Sequence, residues 1–131
     1  MRSLNRDTGA RVLCEIDHDE HERLLRAATV FVVAVRKGAP SAGQVRLMEA
    51  TDARTPVVAS DVEALATYAE HGVTARLVPP GDPAALREAV DGLLDSPQER
   101  ERLAAAAIER ARQWTYGEYF AAVEELIDDS L

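Results

Sequence analysis

Three apolar runs constrain this chain more than any other feature. Residues 29–35 (TVFVVAV) and 56–60 (PVVAS) are apolar at nearly every position, and residues 74–78 (TARLV) form a third β-prone run. A strand with one wet face alternates apolar and polar residues. Runs without alternation belong to strands buried on both faces, the condition of a parallel sheet covered by helices. Val12, Leu13 and Ile16 suggest a further short strand over residues 12–16 near the start.

The segments between these runs carry helix boundaries. Asp17 with Glu20 three residues on predicts a capped start, continued by Leu24, Leu25 and Ala28. A helix is expected from about Gln44 to Ala53, and another over residues 62–70, capped by Asp61 and stopped at Gly72. After PPGDP, Asp82 can cap a helix with Pro83 at its first position. Ser96-Pro97-Gln98-Glu99 is a capping box for a long helix to about Gln113, and Thr115 with Glu118 opens a last one to about Ile127. Strands alternate with helices and then give way to three helices. The expectation is one α/β domain over residues 1–131: a Rossmann-like, doubly wound parallel sheet of about four strands, flanking helices and a helical C-terminal end.

Charge narrows the functional classes. The 131 residues carry a formal net charge of −8, against the basic surface that nucleic acid requires, so no nucleic-acid partner is expected. The carboxylates are dispersed over helical segments and read as solubilising surface. No apolar run approaches a membrane span, and the first ten residues lack the apolar core of a signal peptide. The single cysteine, Cys14, is expected as a buried small hydrophobe in a cytoplasmic protein.

In open α/β sheets, ligands bind beyond the carboxyl ends of strands, which directs attention to the loop from Lys37 to Gly43. Gly43 would let a ligand approach the backbone. The amides of Gln44, Val45 and Arg46 would form an anion site at a helix start, with Glu49 further along to accept hydrogen bonds from hydroxyls. From the residues alone, an ordinary loop and a surface glutamate explain the segment as well.

A resemblance sharpens this. LLRAATVFVVAV, SAGQVRLMEATDARTPVVASDVEAL, EHGVTARLVPPGDPAAL and RARQWTYGEYFAAVEEL follow, in order, the motifs of the C-terminal domain of group 1 (family 4) GT-B glycosyltransferases. The chain resembles that domain cut short at its N-terminal side. The resemblance implies a donor site for a nucleotide diphosphate sugar in a retaining hexosyltransferase, with no cofactor and no metal. It maps the phosphate loop to Ala42, Gly43, Gln44 and Val45, places Glu49 against the ribose, and puts Ser41 where the family has a glutamate near the transferred sugar. Arg54 stands where glycine is usual, and Glu63-Ala64 replaces a glycine pair. The resemblance also implies that the acceptor-binding N-terminal half and two strands lie outside these residues. By itself the chain is then expected to transfer no sugar, and to work with an N-terminal GT-B half or as a homo-oligomer.

Other features read more plainly. His18 and His21 with Glu22 lack a third metal ligand and suit a solvated helix face; Trp114 and Tyr119 suit packing. A non-catalytic interaction or assembly module of the same ancestry is the alternative function. A receiver-like domain is disfavoured because no paired acids follow a first strand.

Overall fold

In the computed structural model, residues 9–39, 43–114 and 116–130 are described, without the side chains of residues 114, 116–120 and 122. Helix α1 (His18–Ala27) starts where the Asp17 carboxylate accepts the Glu20 amide at 2.8 Å. Its Leu25 is buried, and the chain extends at Ala28 into strand β1 (Phe31–Val33). Helix α2 (Gln44–Asp52) leads to β2 (Val57–Ser60), a 3₁₀ turn (Glu63–Leu65) and β3 (Arg76–Val78). Helices α3 (Pro83–Asp95) and α4 (Pro97–Ala111), a second 3₁₀ turn (Arg112–Trp114) and α5 (Tyr116–Ser130) complete the order.

The sheet is parallel in the order β1-β2-β3, with Val32 beside Val58 and Ala59 beside Leu77. All four residues of the central β2 are buried, as its unbroken apolar run required. Val57 and Ala59 pack on one face with Leu25, Leu47, Ala50 and Leu65; Val58 packs on the other with Val78, Leu93 and Leu103.

Sequence and structure part at four places. Residues 12–16 form no strand: Glu15 adopts a left-handed φ of 55°, which breaks an extended run, and Val12, Leu13 and Ile16 stay exposed. Cys14, in the same stretch, is exposed rather than buried. β1 is not covered on both faces: Val33 is buried but Val32 is 39% exposed, because the α3 and α4 layer centres on β2 and β3. Finally, residues 62–70 hold only the short 3₁₀ turn. No side chain caps it, and the Asp61 amide donates instead to the Val78 carbonyl at 2.7 Å. Gly72, at φ 74°, turns the chain toward β3 rather than ending a helix.

The caps of the second half follow the sequence. Asp82 accepts the Ala85 amide at 3.0 Å with Pro83 opening α3, and Ser96 accepts the Glu99 amide at 3.2 Å at the start of α4. Arg100 donates to the carbonyls of Leu93 and Leu94, which the end of α3 leaves open. Thr115, with its expected capping box, lies outside the described residues.

Helix α2 ends in a Schellman motif: Thr55 N–H donates to Ala50 and Arg54 N–H to Thr51. Arg54 therefore sits at the left-handed position, φ 57°, that favours glycine. We expect Arg54→Gly to stabilise the fold by up to about 1 kcal/mol, read as a higher urea midpoint at unchanged slope. The neighbouring Thr55 hydroxyl donates to the Leu25 carbonyl at 2.7 Å and ties the end of α2 to the end of α1.

Candidate functional site

Because the three strands are parallel, their carboxyl ends open on one edge of the sheet. There Lys37, Gly38 and Ala39 after β1, Gln44 at the start of α2, residues 61–64 after β2, and Pro80 after β3 line a cleft of about 1030 Å³. The Ser60 hydroxyl accepts the Val35 amide at 2.8 Å, so the end of β2 fixes where the β1 loop departs.

Helix α2 enters this cleft differently from its neighbours. Asp17, Asp82 and Ser96 cap α1, α3 and α4 with side chains, whereas α2 has Gly43 at its cap and no side-chain hydrogen bond there. The first-turn amides of Gln44, Val45 and Arg46 have no acceptor within their own helix, and the helix dipole makes that end partly positive. Gly43 itself is required from below. Its φ is 89°, and a Cβ there would lie 2.9 Å from Val33 Cγ1 and from Val35 Cγ2. The packing of α2 on β1 thus explains this glycine without a ligand.

The charges in the cleft are mixed. Lys37, the only lysine of the chain, shares the lining with Asp61 and Glu63. Among the described residues none of these three side chains forms an ion pair or hydrogen bond. The ammonium and the positive end of the α2 dipole suit a phosphate; the carboxylates suit hydroxyl donors.

The site residues expected from sequence are only partly brought together. Gly43 and Gln44 stand at the cleft. Val45 is 69% exposed on the outer side of α2. Glu49 points toward α1, into a hollow shared with His18, His21 and Asp52. Its Oε2 accepts Arg46 Nη1 at 2.8 Å, and His21 Nε2 lies 3.2 Å away. The Arg46 hydrogen bond holds the Glu49 carboxyl below its usual range against the opposing effect of burial, with a lesser contribution from His21. Ser41 and Ala42 lie outside the described residues. Lys37 opens the loop to which the sequence directed attention, but Asp61, Glu63 and Pro80 were not singled out as site residues. Looking beyond the carboxyl end of every strand, rather than of β1 alone, would have found them.

The lowered Glu49 carboxyl has a pH consequence. A depressed folded value adds stability above the unfolded carboxylate pKa of about 4.3 and loses it as pH falls through the folded value. Glu49→Gln should cost at most about 1 kcal/mol near neutrality, with the difference from the parent fading in acid denaturation series below pH ~4.

A parallel α/β sheet with a cleft beyond the carboxyl ends of its strands defines a class of folds that bind ligands at that edge. The family model described as glycosyl transferases group 1 matches residues 2–110. The chain belongs to that family. It is 40% identical over 106 residues to a phosphatidyl-myo-inositol mannosyltransferase of Mycobacterium leprae, covering 81% of this chain and 28% of that protein. Sucrose-phosphate synthase of Thermosynechococcus elongatus superposes with a TM-score of 0.73 at 28% identity, covering 98% of this chain and 32% of that one. Anabaena HepE in complex with UDP superposes with a TM-score of 0.71 at 21% identity, over 82% of this chain and 29% of that one; it is also solved with UDP-glucose. The chain thus spans about a third or less of the length of these relatives. Among the described residues no helix is long and apolar enough to cross a membrane.

Proposed function

We propose that this chain is the donor-binding part of a retaining glycosyltransferase and that its cleft holds the diphosphate of a nucleotide diphosphate sugar. The observation that carries this reading is the start of α2, with Gly43 at its cap and no side-chain cap among the described residues, opening beside Lys37 on the cleft at the carboxyl ends of all three strands. Phosphate oxygens would accept from the Gln44, Val45 and Arg46 amides at the helix start that follows Gly43. Val45 and Glu49 lie four residues apart on α2 and so share one face. A ribose passing Val45 would present its hydroxyls to the Glu49 carboxylate in competition with Arg46 and His21. Kinship with a mannosyltransferase and with a protein solved in complex with UDP supports a nucleotide-sugar donor. No cofactor or metal enters this reading.

Transfer needs the acceptor hydroxyl held against the anomeric carbon, and the cleft supplies only the donor side. The chain alone should therefore bind donor without turning it over, and act with an N-terminal GT-B half. Calorimetry with UDP, GDP and ADP tests the reading. One of them should bind with a Kd on the order of 1 mM, weakened severalfold in Lys37→Ala and in Glu49→Ala. Absence of heat with all three at high millimolar concentration would overturn it.

The exposed apolar residues Val32, Leu126 and Ile127 favour a second reading, a non-catalytic assembly module that self-associates. It predicts a dimer by light scattering and no nucleotide binding.

A further inference from the structure

The proposed donor cleft has one wall that a bare phosphate does not explain. Lys37 and the start of α2 are suited to anions, but Asp61 and Glu63 bring two carboxylates to the same lining. Both residues are exposed, and neither side chain is neutralised by a partner among the described residues. Glu63 is fixed in place by the 3₁₀ turn, whose Leu65 is fully buried two residues on. Asp61 is held by the hydrogen bond its amide donates to the Val78 carbonyl. A carboxylate so placed repels a second anion and accepts hydrogen bonds from hydroxyls.

A nucleotide diphosphate sugar and its free nucleotide differ in these two respects. The free diphosphate ends in a terminal phosphate with one more negative charge, and the sugar nucleotide ends in a ring of hydroxyl donors. We infer that Glu63 is the specificity-determining residue of the cleft, accepting hydrogen bonds from the sugar hydroxyls of the intact donor and repelling the terminal phosphate of the free nucleotide. This rests on the donor-binding reading above. It orients the ligand with its diphosphate at α2 and Lys37 and its sugar toward the turn after β2. It also gives the spent nucleotide a reason to leave.

The test is the ratio of affinities for UDP-glucose and UDP, with GDP-mannose and GDP as a second pair, in the parent chain and in Glu63→Ala and Glu63→Gln. The parent should prefer the sugar nucleotide. Glu63→Ala should tighten free nucleotide binding about three- to tenfold at low salt, less at high salt, and weaken the sugar nucleotide, inverting the preference. Glu63→Gln removes the charge but keeps a hydrogen-bonding oxygen. It should tighten the free nucleotide equally while keeping most of the sugar-nucleotide affinity. Unchanged circular dichroism guards against a folding defect at this exposed position. Binding of both ligands with a ratio that neither variant moves overturns the inference and leaves the donor-binding reading standing. Binding of neither ligand by the parent chain overturns both.

Discussion

Gly43→Ala is expected to destabilise the fold by roughly 2–5 kcal/mol, combining the left-handed backbone penalty with overpacking of the core. The left-handed φ of 89° disfavours any Cβ, and this Cβ would press on Val33 and Val35 at 2.9 Å. Both are β-branched, with little rotamer freedom to retreat, and Val33 is buried in the core. The helix must then lift from β1 or unwind its first turn. In either case the helix start at Gln44 is displaced from the cleft it lines. Thermal unfolding should show a fall in midpoint of roughly 10 °C or more, accompanied by loss of nucleotide binding in the surviving folded protein. A midpoint within a degree or two of the parent would contradict the packing described for α2.

Leu65→Ala should have an effect of similar size, about 2–5 kcal/mol in chemical denaturation, from the buried atoms removed and the cavity left. Leu65 is 0% exposed and anchors the 3₁₀ turn to the cluster containing Val33, Leu47 and Ala59. That turn carries Val62, Glu63 and Ala64 into the cleft, so its loosening also weakens the sugar-facing wall. The two substitutions touch. The added Cβ at position 43 would lie 3.4 Å from Leu65 Cδ2, a milder contact than its two valine contacts. The double variant should therefore recover less than about 1 kcal/mol relative to additivity. A full rescue would mean that Leu65, not β1, sets the need for glycine.

What the sequence made legible follows the range of the interaction. The caps at Asp17, Asp82 and Ser96 depend on atoms three residues apart, and the structure has all three. The central strand was equally legible, since a run buried on both faces leaves its mark at every position. Covering layers were harder to read. Val32 has the same chemistry as Val58, yet its exposure depends on where α3 and α4 lie. The segment after Asp61 has apolar residues at helical spacing, but without a side-chain cap it forms one short 3₁₀ helix followed by isolated turns. Arg54 was legible as a departure from glycine; its left-handed backbone supplies the physical reason.

The site was legible in position more than in composition. The rule for strand ends led to Gly43 and Gln44. Glu49, placed by resemblance against a ribose, is held by Arg46 and lies beside His21, a through-space pairing that no spacing along the chain displays. The mixed charge of the cleft appears only when the loops after β1 and β2 are seen together, since Lys37 and Glu63 lie far apart in sequence.

The central claim is that the cleft beyond the strand ends receives the diphosphate of a nucleotide diphosphate sugar. Titration of the ¹⁵N-labelled chain with UDP-glucose and GDP-mannose tests it directly, because the amides at issue report individually. The largest shifts are expected for Gln44, Val45 and Arg46, with Lys37, Gly38, Ala39 and Glu63 following at the same ligand concentration. Saturable shifts confined to other surfaces, such as the groove between Arg54 and Ile108, or none with either donor, would contradict it.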